Sequence, residues 1–183
     1  MAKLIIGIVG ENASGKTTAT EYLKKKFNAV TFRFSDMLGD ILKRIYIEPT
    51  RSNFQILSTI LRQNFSEDIM SKVIAADAKN STAEVIITEG VRRPTDVTHL
   101  KELSNFILIY IKTEERKRFE RLATRGEKPD DATKTWEEFQ AEGHQEAEQK
   151  ILEIAQTANF TIDNNSSLEN TYSQLDSVVT KYL

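Results

Sequence analysis

The stretch LIIGIVGENASGKTTAT, Leu4 to Thr20, runs six mostly branched apolar residues straight into a polar turn bracketed by glycines. Leu4–Val9 is short and β-branched, and reads as a buried strand. The residues from Lys16 onward have helix-favouring composition. Between the two, Gly10, Gly15, Lys16 and Thr17 satisfy G-x-x-x-x-G-K-S/T in the strand-then-helix context that this spacing requires. Glycines let the backbone turn sharply and bring successive N–H groups around an anion, and the following helix adds its positive end. At ordinary glycine frequency the pattern arises by chance in roughly one such chain in a few hundred. Gly10, Asn12, Ala13, Ser14, Gly15, Lys16, Thr17 and Thr18 are therefore expected to cradle a nucleoside triphosphate. Lys16 would reach the outer phosphates and Thr17 would offer its hydroxyl to Mg²⁺. ATP and Mg²⁺ are the expected cofactors, although a phosphate cradle by itself is blind to the base.

Outward from this loop, short runs at Leu4–Val9, Ala29–Phe34, Val85–Thr88, Phe106–Ile111 and Asn159–Ile162 read as buried parallel strands. Helical patterns at Lys16–Phe27, Asp36–Tyr46, Ser52–Lys79, Thr95–Leu103, Glu114–Arg125, Thr135–Ala158 and Ser167–Tyr182 separate or follow them. Strands alternating with helices predict a three-layer α/β fold with a five-stranded parallel sheet. Thr135 precedes Glu138 at capping-box spacing, and Pro94 suits the start of the helix after the third strand. The segment TRGEKPDDATK, Thr124–Lys134, reads either as a mobile flap or as a solvated connector.

The 183 residues suffice for one domain with its own core, and 39% of them are hydrophobic against 28% charged. The absence of cysteine removes thiolate metal sites and cysteine nucleophiles. A net charge of −2 without a basic block argues against nucleic acid as partner, and the apolar runs are too short for a bilayer. MAKLIIGIVGE has only Lys3 as a positive start and no small-residue cleavage pattern, so a cytoplasmic protein is expected, as monomer or homodimer. His99 and His144 lack partners at metal-ligand spacing, and Trp136 reads as an anchor for the helix it begins.

Beyond the loop, RFSDMLGDIL (Arg33–Leu42), ITEGVRRP (Ile87–Pro94), RFERLATRG (Arg118–Gly126), KTWEEF (Lys134–Phe139) and FTIDNNSSLE (Phe160–Glu169) follow in order. With these blocks the chain resembles P-loop kinases of the nucleoside monophosphate kinase superfamily, nearest the adenylate-kinase-related and deoxynucleotide monophosphate kinase-like proteins. Dephospho-coenzyme A kinase is a more distant likeness. The resemblance implies one P-loop kinase domain over residues 1–183, with an acceptor-binding helical region at about 36–80 and a lid at about 118–142. The activity implied is phosphoryl transfer from ATP to a nucleoside or deoxynucleoside monophosphate. Transfer to dephospho-coenzyme A is the alternative within the kinases, and a nucleotide-binding regulatory ATPase the alternative outside them.

The resemblance also distributes roles. Glu89, ending the apolar run VIIT, would hold Mg²⁺ or its water shell. By position Arg93 matches the arginine that contacts the acceptor phosphate, with Arg92 the close alternative because related sequences also read EGVR; the task suits a guanidinium fork. Arg62 would clamp the same phosphate from the long helix. Arg118, Arg121 and Arg125, at spacings of three and four, share one helical face and would close over the donor, offsetting charge on the transferred group. Asp36 has competing roles: orienting the acceptor or metal water, acting as base toward a ribose hydroxyl, or capping a helix. Asn164 and Asn165 would touch the donor base.

Overall fold

The computed structural model describes residues 4–125 and 134–183. Their strands are β1 (Leu4–Val9), β2 (Val30–Arg33), β3 (Val85–Glu89), β4 (Phe106–Lys112) and β5 (Phe160–Asp163). They form one parallel five-stranded sheet in the order β2-β3-β1-β4-β5. β1 is buried along its whole length, as a central strand covered on both faces must be.

Alternation along β1 divides the core into two. Ile5 and Val9 face a cluster with Phe34, Leu38, Met70, Ile74, Ile86, Leu108, Ile151 and Ile154. Leu4, Ile6 and Ile8 face Ala19, Leu23, Ile87, Ile109, Ile162 and Leu175. The first face carries α2 (Phe34–Arg44), α4 (Ile69–Asn80) and α8 (Glu146–Ala155); the second carries α1 (Lys16–Phe27) and α9 (Leu168–Val179). This is the expected three-layer α/β arrangement. The loop after β1 lies where the next strands diverge, β3 pairing on one side of β1 and β4 on the other, the crevice in which open parallel sheets bind ligands.

Three helical expectations need correction. The single helix over 52–79 is two, α3 (Arg51–Asn64) and α4, separated by Phe65–Asp68. Arg62 explains the break: one guanidinium nitrogen donates to the carbonyl of Glu67 across the turn, and the other pairs with Asp96 at 2.7 Å. The helix over 95–103 is a 3-10 turn at Pro94–Val97 followed by α5 (Thr98–Lys101). The helix over 135–158 is α7 (Trp136–Gly143) and α8, broken at Gly143–Gln145, where α7 ends and Gln145 caps a new start. At the other end of α7 the predicted capping box is present: Glu138 N–H donates to Thr135 Oγ1 at 3.2 Å, and Thr135 N–H to Glu138 Oε2 at 2.8 Å.

Between β4 and α7 runs α6 (Glu115–Arg125), whose Phe119 packs on Trp136 with ring centroids 5.4 Å apart. Of the predicted lid and flap, residues 126–133 and the side chain of Arg125 lie outside the described residues. Among the described residues no helix is long and apolar enough to cross a membrane.

Candidate active site

The phosphate loop takes its shape from two backbone positions. Gly15 sits at φ 96°, and a Cβ there would run into the side-chain amide of Asn164. A Cβ on Gly10 would lie 2.5 Å from Ser14 Oγ and 2.8 Å from the Ile111 carbonyl. Both glycines are thus demanded by how closely the loop is packed from below.

That packing comes from residues expected elsewhere. Asn164 is buried and donates from Nδ2 to the Ser14 carbonyl at 2.8 Å, while its Oδ1 accepts from Thr171 Oγ1. Asn165 donates to Asp163 Oδ1 and accepts from Glu114 N–H. Both side-chain amides are therefore engaged in holding the loop and the β5–α9 connection. Arg118 is likewise buried. Its Nε donates to the Thr113 carbonyl at 3.2 Å, and its guanidinium lies 3.6 Å from Glu11 Oε1. Glu11 also accepts from Tyr110, whose hydroxyl burial pushes well above the usual tyrosine range. Arg118 thus braces the loop from beneath, where an arginine closing over the donor was expected.

Lys16 is folded back, donating to the carbonyls of Gly10 at 2.6 Å and Glu11 at 2.7 Å. Burial lowers its pKa from 10.5 to about 8, against an opposing pull from Glu148 and with a further push from Arg92. Lys16, Glu148 and Arg92 therefore feel one another's charge, and all three line one cleft.

The cleft, of about 750 Å³, is walled by the loop residues Gly10 and Asn12 to Thr18, by Gly90, Val91 and Arg92, by Arg121, and by Glu142 of α7, Gln145, and Glu148 and Ile151 of α8. Arg92, the alternative of the two arginines, lines this cleft. Arg93, the one matched by position, does not line it and lies 3.8 Å from Glu67 on the surface. Arg121 also lines the cleft, its guanidinium donating to the Asn164 carbonyl at 2.9 Å. Arg62 is absent from the cleft: it is 7% exposed and committed to Asp96. That pairing corrects the expected acceptor clamp. Asp36 is exposed and accepts from the Arg33 N–H at 2.9 Å, so of its open roles the structure displays the helix-terminal one. Glu89 pairs with Arg33 through Oε2 at 2.9 Å, while its buried Oε1 has no hydrogen-bond partner among the described residues.

Two residues escaped the sequence reading. Asp96 Oδ2 accepts from the N–H groups of both Arg92 and Arg93 at 2.9 Å, and its Oδ1 from Arg62, so it fixes the turn that aims Arg92. Its signal was an acid three residues after Arg93 across Pro94, the spacing that also marks helix starts. Glu148 gave no signal, because an acid on an acidic helix reads as a solvated face.

A family model described as AAA domain matches residues 6–154, a span that takes in the loop, the Gly90–Arg93 turn and most of α8. The chain belongs to this family. Among curated relatives it is 30% identical to the UPF0200 protein MJ1399 of Methanocaldococcus jannaschii, over 98% of this chain and 91% of the relative. It is 27% identical to the UPF0200 protein TK1334 of Thermococcus kodakarensis, over 96% of each. Among solved structures it resembles shikimate kinase from Bacteroides thetaiotaomicron, with a TM-score of 0.65 at 15% identity over 97% of this chain and 98% of the other. TT1252 from Thermus thermophilus gives a TM-score of 0.61 at 15% identity over 99% and 98%. At such identities the likeness is one of fold, and the fold is P-loop kinase-like.

Proposed function

We propose that this chain is an ATP- and Mg²⁺-dependent phosphotransferase acting on a small acceptor seated between the Gly90–Arg92 turn and α8. The observation that carries the reading is the convergence of Lys16, Arg92 and Arg121 on a single cleft above the phosphate loop. Moving a phosphoryl group demands positioning and neutralisation of charge more than covalent chemistry, and three cations in one cleft supply that. The cleft volume of about 750 Å³ suits a nucleotide with a small partner. A nucleoside or deoxynucleoside monophosphate is the acceptor that the EGVRR segment supports, its phosphate on Arg92. A hydroxyl-bearing acceptor such as dephospho-coenzyme A is the second reading, favoured by the carboxylate of Glu148 in the cleft.

The residues present fit both cofactors. Nucleotide phosphates would take the loop N–H groups, and Lys16 would turn from the Gly10 and Glu11 carbonyls to the β/γ oxygens. Thr17 and the unpartnered Oε1 of Glu89 would hold Mg²⁺ directly or through water. Among the described residues no cluster of three or more acids or histidines forms a metal cage, which agrees with an ion bound largely by phosphates and water. Bound there, Mg²⁺ neutralises phosphate charge. Arg121 lines the cleft, where it can offset negative charge on the donor, and the buried Val91 and Ile151 supply apolar parts of its wall.

The test is ADP release from ATP and Mg²⁺ against ribo- and deoxyribonucleoside monophosphates, dephospho-coenzyme A and shikimate, with the product confirmed by mass. Acceptor-stimulated turnover that Lys16→Ala abolishes is expected. ADP release indifferent to every acceptor would instead favour a regulatory ATPase.

A further inference from the structure

The charges in the cleft are not evenly committed. Glu142 accepts both of its short hydrogen bonds from Lys134, at 2.8 and 2.9 Å. Arg121 is tied to the Asn164 carbonyl and lies 3.4 Å from Thr113 Oγ1. Lys16 belongs to the phosphates. Arg92 and Glu148 remain, one cation and one acid lining the same cleft. Glu148 forms no ion pair among the described residues, and its Oε2 meets only the Asn12 N–H, at a long 3.4 Å. It stands at the start of α8, whose Ile151 and Ile154 are anchored in the core, so its carboxylate is presented by a rigid element. Asp36, the acid the sequence offered as base, is exposed, accepts from the Arg33 N–H and does not line the cleft.

A carboxylate at this place discriminates between attacking groups. A phosphate dianion approaching the γ-phosphoryl group needs no base and would be repelled by Glu148. A hydroxyl carries a proton that must leave, and a carboxylate within reach takes it.

We infer that Glu148 is the general base for an acceptor that attacks through a hydroxyl and carries an anionic group for Arg92, so that the product is a phosphate monoester. The inference rests on the reading of this cleft as a phosphoryl-transfer site. The hydroxyl oxygen forms a bond to the γ-phosphorus as its proton passes to the Glu148 carboxylate. The bond from the γ-phosphorus to the β–γ bridging oxygen breaks, its electron pair leaving on ADP. Glu148 returns the proton to solvent once the products depart. A nucleoside monophosphate remains an acceptor of this kind when a sugar hydroxyl, and not its phosphate, is the attacking group; the ribose hydroxyl of dephospho-coenzyme A is another.

The experiment compares the wild type with Glu148→Gln and Glu148→Asp on the acceptor panel above, reads the phosphorus linkage of the product by ³¹P NMR, and measures ATP binding by calorimetry. Expected are a monoester product, a kcat lower by about 10²–10⁴-fold in Glu148→Gln, partial recovery in Glu148→Asp, and unchanged ATP affinity in both. A phosphoanhydride product, or full kcat in Glu148→Gln, would overturn the inference while leaving the kinase reading intact. So would tighter ATP binding in Glu148→Gln at full kcat, because the carboxylate would then merely fill an empty cradle. Wild-type protein that binds ATP but transfers nothing to any acceptor would overturn both.

Discussion

Replacing Lys16 by Met should make the nucleotide-free protein more stable near neutral pH while abolishing nucleotide binding. The ammonium is half-buried against the loop, and its pKa falls from 10.5 to about 8 chiefly through desolvation. At about 1.36 kcal/mol for each tenfold change in proton affinity, the cost of keeping that charge in the fold is about 3 kcal/mol. Part of the gain on removing it is offset, because Lys16 also serves the Gly10 and Glu11 carbonyls and each hydrogen bond is worth about 1 kcal/mol net. A net gain of about 1–2 kcal/mol at pH 7 follows. The pH dependence is the sharper test. Between about pH 8 and 10.5 the unfolded chain keeps the Lys16 proton and the folded chain has lost it, so wild-type stability rises there relative to the variant. Urea unfolding should show the advantage of Lys16→Met constant below pH 8 and shrinking by about 2 kcal/mol by roughly pH 9.5. A gap that stays parallel from pH 7 to pH 9.5 would refute the claim that the loop holds a strained charge.

Other expectations follow from the same geometry. Arg92→Ala should raise the acceptor KM while leaving ATP affinity unchanged, and Arg93→Ala should change neither; steady-state kinetics with both substrates varied decides it. Asp96→Ala strands the buried Arg62 and frees the N–H groups of Arg92 and Arg93, so chemical denaturation should show a loss of about 3–5 kcal/mol. A loss under about 1 kcal/mol would mean that the pair is not holding the turn. Asn164→Ala removes the strut under Ser14, and calorimetry should find weaker ATP binding with little change in the acceptor KM.

Much of this was legible along the chain. β1 was read over the residues it occupies, because an unbroken apolar run is what a strand covered on both faces requires. The phosphate loop was legible because its glycines and lysine are local demands, satisfied within eight consecutive residues. Helix breaks were the first failure. Nothing in the composition of residues 52–79 competes with a continuous helix, and the turn at Phe65–Asp68 is held by Arg62 reaching a partner 34 positions away. Arg62, Arg118 and Asn164 were all assigned to substrates for a related reason. A polar residue near a phosphate motif looks the same in sequence whether it faces the ligand or props the loop from behind.

The sequence alone determined the strand-loop-helix unit and the alternation that builds a parallel sheet, since each depends on neighbours within a few positions. Only the tertiary structure decided which cations reach the cleft. Arg92 faces it because Asp96 takes two backbone N–H groups and turns the chain; Arg62 and Arg118 are withheld because Asp96 and Glu11 are their counter-charges below the surface. Glu148 enters the site from α8, distant in sequence from the loop, brought there because Ile151 and Ile154 bury themselves against the sheet. A buried charge must find its partner wherever the fold places it, and that pairing is written in three-dimensional contact, not in spacing.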